Sequence, residues 1–394
     1  MRLADNRVLV LADDLTGALE VGALFAGRGV EATVAIAAHP AAASWNHAAP
    51  VQVLDTETRH LAPEDAFRIV RAFAGEAGGR GFRYIYKKTD STLRGNIGSE
   101  IAAVMAACPD APLVYVPAYP QLGRTVVEGK LLVNGVPVTE TGFSADMLNP
   151  VRESHIPTLL GTSFPDIPVY SVSVEALRGP LRSAVYLVDG MTEEDIRSAA
   201  RILAASSQVR LVAGPAGLAR HLAELMNLPR RKPPEMPRIV RCLVVNGSRH
   251  QAAAAQVNHA VEQDWPMLDV DDDPGCSAAH DWVLLQSPGS SSKSGLKYAA
   301  QLGQNIRTMI MRACFDGMVV FGGDTAFEIL DALGVFSMRS IGEALPGVPV
   351  TKIDAAAMPS DHGPRDHDFY LVTKAGGFGS ADLLTRIRRR LSGS

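Results

Sequence analysis

The chain has 394 residues, 47% of them apolar and 20% charged, with a net charge of −4. At roughly 100–200 residues per domain, this length predicts two or three domains, each able to build a full core. So small a net charge argues against a nucleic-acid polyanion as the main ligand, but leaves room for a small anion in a local basic pocket.

Cys108, Cys242, Cys276 and Cys314 are scattered without a CxxC pair, which disfavours a zinc or dithiol motif and fits a reducing cytoplasm. The first apolar run is short and ends in two aspartates, so it reads as a strand rather than a signal peptide. No apolar stretch approaches the ~20 residues needed to span a bilayer.

In chain order, "RVLVLADD" predicts a strand and "TGALEVGALFAGRG" a helix ended by Gly27 or Gly29. "EATVAIAA" and "VQVLDTET" predict strands, and "PEDAFRIVRAFAGEA" an amphipathic helix with Pro63 in its first turn. "FRYIYKK", "NIGSEIAAVMAAC" and "LVYVPAY" continue as strand, helix and strand. "VVEGKLLVNGVPVTET" breaks the pattern, because Asn134-Gly135 between apolar alternations signals an antiparallel hairpin. Alternation resumes through "AVYLVDG", "TEEDIRSAARILAASS" and "VRLVAGPAGLARHLAELM".

The proline-rich, basic stretch "NLPRRKPPEMPR" reads as a linker. A second strand–turn–helix series follows in "IVRCLVVNGSRH", "DWVLLQSPG", a helix near 295–314, "GMVVFGGDTAFEILDALG" and "FYLVTKAGGFGSADLLTRIRRRL". The expectation is two α/β domains, 1–228 and 239–394, joined by a linker at 229–238. Each carries a mostly parallel sheet flanked by helices.

Ligands of open α/β sheets collect beyond the carboxyl ends of the strands. The first strand ends in Asp13-Asp14 and the third leads to Arg59. The fourth leads to Lys88, Asp90, Ser91, Thr92 and Arg94, and the fifth to Arg124. Carboxylates, hydroxyls and cations at one edge suit a small polyhydroxylated acid, because arginine grips carboxylates and aspartate accepts from hydroxyls. Asp13, Ser91 and Asn96 would serve equally as helix caps.

The second series ends its strands with Asn246-Gly247-Ser248, Gly322-Gly323-Asp324-Thr325 and Lys374-Ala375-Gly376-Gly377. Glycines let backbone N–H groups approach a phosphate, and three such loops opening helices point to a nucleotide. GxxxxGK[ST], HExxH and GxSxG are absent. "GRGVEA" follows a helix and so lacks the dinucleotide-binding context. "DHGPRDHD" (Asp361–Asp368) fits no metal-ligand spacing and reads as a polar surface loop.

The motifs "LADDLTGALEVG", "KKTDSTLRGNIGSEI", "PAYPQLGRTVVEGKLLVNGVPV", "ESHIPTLL", "VVNGS", "FGGDTA" and "TKAGGFG", in this order over almost the whole chain, resemble the four-carbon acid sugar kinase family. The resemblance implies a sugar-acid-binding domain, a nucleotide-binding domain and an active site in the cleft between them. It further implies ATP-dependent phosphorylation of the terminal hydroxyl of threonate, erythronate or a 3-oxo-tetronate, with Mg²⁺ as the metal.

On that reading Asp13, Asp14, Arg59, Lys88, Asp90, Ser91, Thr92, Arg94 and Arg124 bind the substrate. Asp90, Asp14 or Asp324 accepts the hydroxyl proton, and Ser248, Gly322, Gly323, Asp324, Thr325, Lys374, Gly376 and Gly377 hold ATP. The metal ligands are not readable, and His60, His155 and His250 stay outside the catalytic set. Arg249-His250 departs from the Cys-Ser pair often found at those positions in the family. The partners implied are a sugar acid and ATP, without nucleic acid or membrane, and a homodimer stays open. Two rival readings are a non-catalytic regulator binding the same ligands and a phosphatase acting on sugar-acid phosphates.

Overall fold

The computed structural model describes residues 6–37, 45–46, 48–164, 166–269, 281–286, 295–312, 315–359 and 366–393. Cys276, Cys314 and residues 361–365 of the "DHGPRDHD" stretch lie outside them. The chain divides into two compact units, Met1–Ala32 with Ile36–Lys232, and Thr33–Ala35 with Pro233–Ser394.

The chain opens with β1 (Val8–Ala12), α1 (Leu15–Ala26) and β2 (Ala32–Ile36), of which β2 pairs antiparallel with a later strand of the second unit through Thr33–Ala35. The first unit continues with β3 (Val51–Asp55), α2 (Pro63–Glu76), β4 (Tyr84–Lys88), α3 (Ile97–Ala107) and β5 (Leu113–Tyr115). A ribbon follows, made of β6 (Arg124–Val127), β7 (Lys130–Val133) and β8 (Val136–Pro137). The unit closes with α4 (Ile156–Ser163), β9 (Val169–Val172), β10 (Val185–Val188), α5 (Glu193–Ala205), β11 (Leu211–Gly214) and α6 (Ala216–Leu225). Its parallel sheet has the order β3-β1-β4-β11-β5-β10-β9.

β1 reads VLVLA and is buried at every position, as a parallel strand covered by helices on both faces must be. The ribbon is the antiparallel excursion implied by Asn134-Gly135, which turn with φ of 51° and 82°. Glu128 and Gly129 make a second turn with positive φ, and both their N–H groups donate to the Asp189 carboxylate, at 2.6 and 3.0 Å. Beyond α6 no helix or strand occurs over 229–238. Arg230 Nη2 donates to the carbonyls of Ala223, Glu224 and Met226, satisfying orphan acceptors at the end of α6.

The second unit runs β12 (Cys242–Asn246), α7 (Gln251–Glu262), β13 (Met267–Asp269), β14 (Trp282–Gln286), α8 (Gly295–Arg312), β15 (Gly317–Phe321) and α9 (Gly323–Leu333). It ends with β16 (Ser337–Leu345), β17 (Val348–Ile353), β18 (Phe369–Lys374) and α10 (Leu383–Ser392). The sheet order is β13-β14-β12-β15-β18-β17-β16, parallel through β18 and antiparallel beyond it.

The β16–β17 hairpin is not foreseen by the alternating pattern. Its segment carries prolines and the turn glycine Gly347, and β16 is interrupted by register shifts. The core gathers Trp282, Phe321, Val372, Leu384 and Ile387. Trp282 is fully buried, and its indole N–H donates to Ile239 O at 3.1 Å, so its polar atom is satisfied. Among the described residues no helix is long and apolar enough to cross a membrane.

Candidate functional site

In the first unit β3, β1 and β4 are adjacent, parallel and in register, with Ala12 opposite both Asp55 and Lys88. The loops that follow therefore leave the sheet at one level. Asp14 caps α1, accepting from Gly17 N at 3.1 Å, and Glu57 accepts from Leu15 N at the same helix end.

Arg59 joins the three loops. Its Nε donates to Asp13 Oδ2 at 2.7 Å, its Nη1 to Asp14 Oδ2 at 2.8 Å, and its Nη2 lies 3.6 Å from Asp90 Oδ1. Asp90 accepts from Arg94 Nη2 at 2.8 Å, Arg94 Nε at 3.1 Å, the Thr92 N–H and the Thr92 hydroxyl. Burial pushes both carboxyls up, but the surrounding cations win. Arg59, Lys87 and Lys88 hold Asp13 below the ordinary range, and Arg94 with Arg59 holds Asp90 well below it. Asp55, buried beside Glu57, is pushed well above that range.

The two lysines ending β4 point to opposite faces. Lys87 is wholly buried and pairs with Glu100 of α3 at 2.9 Å, while Glu100 also accepts from the Thr58 hydroxyl. The Lys88 ammonium makes no ion pair or hydrogen bond among the described residues, although only 5% of the residue is exposed. Its ammonium packs against Gly17, where a Cβ would stand 2.5 Å from Nζ and 2.7 Å from Asp14 Oδ1. Asp13 Oδ1 is likewise buried without a hydrogen-bond partner among the described residues.

Arg124, at the start of the ribbon, donates to Leu122 O and makes no ion pair among the described residues. Its guanidinium lies 6.0 Å from the Phe143 ring, and that of Arg94 lies 5.7 Å from the same ring. Asp146 stands 3.6 Å from Arg94. Ser91 is half-buried in the same turn. Every first-unit candidate thus falls at this sheet edge. Glu57, Thr58, Glu100, Phe143 and Asp146 join the cluster without having been singled out. The 138–151 segment that carries the last two has no periodicity to mark it, and Glu100 looked like any helix glutamate. A cavity of about 440 Å³ opens at Arg59, walled by Asn96, Asn149, Arg152 and Thr158 among others.

In the second unit the three glycine loops follow β12, β15 and β18, which are neighbours in the sheet. Gly322 N donates to Lys374 O at 3.1 Å and Gly247 N to Phe321 O at 3.0 Å. A Cβ on Gly247 would lie 1.8 Å from Thr325 Oγ1, and one on Gly376 would lie 2.0 Å from Ser248 Oγ. Gly322 has φ of 103° and opens α9, leaving the N–H groups of its first turn for an external acceptor. Gly323 and Gly377 lie in the same two loops, and Asp324 is exposed in that first turn.

Lys374 turns inward. It is 1% exposed, donates to Gly376 O at 3.2 Å, sits 4.3 Å from the Phe321 ring, and burial lowers its pKa to about 8. His250 caps α7 through Ala252 N, and His155 bonds Thr158. Gln256 of α7 is fully buried and donates to the carbonyls of Phe378 and Gly379, tying down the last glycine loop.

A family model for a sugar-binding N-terminal domain matches residues 8–222, and one for a nucleotide-binding C-terminal domain matches residues 284–384. The chain is 33% identical over 405 residues to a D-threonate kinase of Bordetella bronchiseptica, spanning 96% of this chain and 95% of that one. It is 25% identical over 443 residues to a 3-oxo-tetronate kinase of Pseudomonas fluorescens, spanning 100% and 99% of the two. A crystal structure from B. bronchiseptica, a domain-swapped dimer with bound citrate, is similar with a TM-score of 0.51 at 28% identity, covering 98% of both chains.

Proposed function

The chain belongs to the four-carbon acid sugar kinase family, and from that premise we propose that it transfers the γ-phosphoryl group of ATP to the terminal hydroxyl of a threonate, an erythronate or a 3-oxo-tetronate. The observation that carries the assignment is the buried set of carboxylates and cations where β3, β1 and β4 end. Phosphoryl transfer is chiefly positioning and charge stabilisation, and this cluster provides both for a hydroxylated anion.

Both oxygens of Asp90 are occupied by Arg94 and Thr92. Its part is therefore to hold those groups. Asp13, whose Oδ1 has no hydrogen-bond partner among the described residues, is the better acceptor for the proton of the attacking hydroxyl, since both oxygens of Asp14 are taken by Gly17 N and Arg59. Ser91 and Thr92 complete the turn against the substrate.

ATP suits the glycine loops of the second unit, because Gly322 opens α9 with no side chain capping its first-turn N–H groups, and a Cβ at Gly247 or Gly376 would collide with Thr325 or Ser248 and push the loops apart. Ser248, Gly322, Gly323, Thr325, Gly376 and Gly377 would hold it, with Asp324 at the same helix end. The bound nucleotide supplies the phosphoryl group, and Mg²⁺ would be carried largely by its phosphates and water. Lys374, turned into the core, supports its loop from behind. The B. bronchiseptica structure supports a homodimer as the assembly, and the metabolic character of the relatives supports a place in the cytoplasm.

The test is ADP release from Mg-ATP with D- and L-threonate, D- and L-erythronate and a 3-oxo-tetronate, with Asp90→Asn and Arg94→Ala beside the wild type. Turnover on one acid that drops by about a hundredfold in both variants is expected. Binding without turnover would establish the regulator instead. Release of phosphate from a sugar-acid phosphate without ATP would establish the phosphatase.

A further inference from the structure

Five basic side chains reach the carboxylate cluster at this sheet edge, and their charges are spent unevenly. Arg59 is neutralised by Asp13 and Asp14, and Arg94 by Asp90 and Asp146. Below them Lys87 is neutralised by Glu100. Lys88 and Arg124 remain without an ion-pair partner among the described residues, Lys88 buried and Arg124 half-buried. Their charges are balanced only at longer range, Lys88 by Asp13 and Arg124 by Asp90, and a cation withdrawn from water without a direct partner gains from a ligand that supplies one.

The surroundings of these two cations differ. Lys88 shares its space with Asp13, whose Oδ1 has no donor, and with Asp14. A carboxylate placed there would meet two negative charges. A hydroxyl, which both donates and accepts, matches an ammonium donor beside a carboxylate acceptor. Arg124 has a planar fork, an Nε without a partner, and Arg94 as a like-charged neighbour that adds to the local positive potential. The Phe143 ring, 6.0 Å from the guanidinium, offers an apolar wall for a carbon chain. That combination takes a carboxylate.

We infer that the sugar acid lies in one direction only, with its carboxylate on Arg124 against Phe143 and the hydroxyl that becomes phosphorylated between Lys88 and Asp13. This assignment rests on the kinase reading above. On it, Arg59 and Arg94 shape the site, Arg124 selects acids over neutral polyols, and Lys88 acts at the reacting end.

The experiment is steady-state kinetics of wild type, Arg124→Met and Lys88→Met with the preferred tetronate and with the matching tetritol, which lacks the carboxylate. Unchanged KM for ATP serves as the check that each variant is folded. Arg124→Met is expected to raise KM for the acid about a hundredfold, with most of the preference over the tetritol lost. Lys88→Met is expected to lower kcat for the acid by about the same factor, with KM moving less than about threefold.

The inference falls if Arg124→Met leaves the KM for the acid within about threefold of wild type, or if Lys88→Met raises KM and spares kcat. If wild type turns over no tetronate, the kinase reading fails separately. Calorimetric titration of the tetronate into wild type and Arg124→Met then decides the carboxylate site. Weakened binding in the variant keeps it, while equal affinities, or no binding to wild type, overturn it.

Discussion

Cutting the Lys87–Glu100 pair in half should be more damaging than removing it. The ammonium of Lys87 has three protons and three acceptors: Glu100 Oε2 at 2.9 Å, Lys88 O at 2.9 Å and Leu11 O at 3.1 Å. The other oxygen of Glu100 accepts from Thr58. Lys87 is 0% and Glu100 1% exposed, so water replaces none of these bonds. Glu100→Leu leaves a buried ammonium with two carbonyls and only the more distant Asp13 as counter-charge, at a cost of about 3–5 kcal/mol. That is a large share of the roughly 5–15 kcal/mol that keeps a domain folded.

Lys87→Met combined with Glu100→Leu removes both charges and should return to within about 1–2 kcal/mol of wild type, since apolar replacement of a buried pair is often neutral. Hydrogen exchange of peptides spanning 84–107, measured on the full chain, reads the opening free energy of this region directly. Two results would refute the reasoning: a double variant as unstable as the sum of its singles, or a Glu100→Leu change costing less than about 1 kcal/mol.

Gly376→Ala places a Cβ 2.0 Å from Ser248 Oγ, so the loop must shift. KM for ATP should rise about tenfold or more, equivalent to about 1.4 kcal/mol, while KM for the acid stays near wild type. Adding Ser248→Gly should recover part of the loss, and a rise in both KM values would contradict a nucleotide cradle. Lys374 has its pKa lowered by burial to about 8 from 10.5. The fold therefore disfavours its protonated form, so a stability deficit is present below pH 8 and is relieved as pH rises from about 8 toward 10.5. Lys374→Met should accordingly exceed wild type in stability most at pH 7, with the gap between urea midpoints closing by pH 10. A constant gap would show that the amine is not desolvated.

Local pattern marks most of the elements, because strands buried on both faces and helices with one apolar stripe leave clear periodicities. It misses β16 and β17, where prolines, Gly347 and register shifts obscure the strand signal. The loop residues after β1, β3 and β4 are legible as a group because strand ends collect ligands, and the parallel register brings them to one level. Their division of labour is not legible. Nothing in "KKTDSTLRGN" separates Lys87, which is consumed by a glutamate 13 positions later, from Lys88, which is not. Phe143 and Asp146 escape for the same reason. Their meeting with Arg94 depends on how an aperiodic segment folds back after the ribbon.

The buried lysine also bears on how the sheet assembles. β1 is apolar on both faces, and such a strand can slide past a neighbour with little change in what it buries. β4 cannot. Moving it by one residue would exchange the faces of Lys87 and Lys88, carrying the first away from Glu100 and the second away from Asp13 and Asp14. A charge that has acceptors at only one offset acts as an alignment peg, so wrong pairings of the central strands are rejected electrostatically where greasy neighbours could not tell them apart.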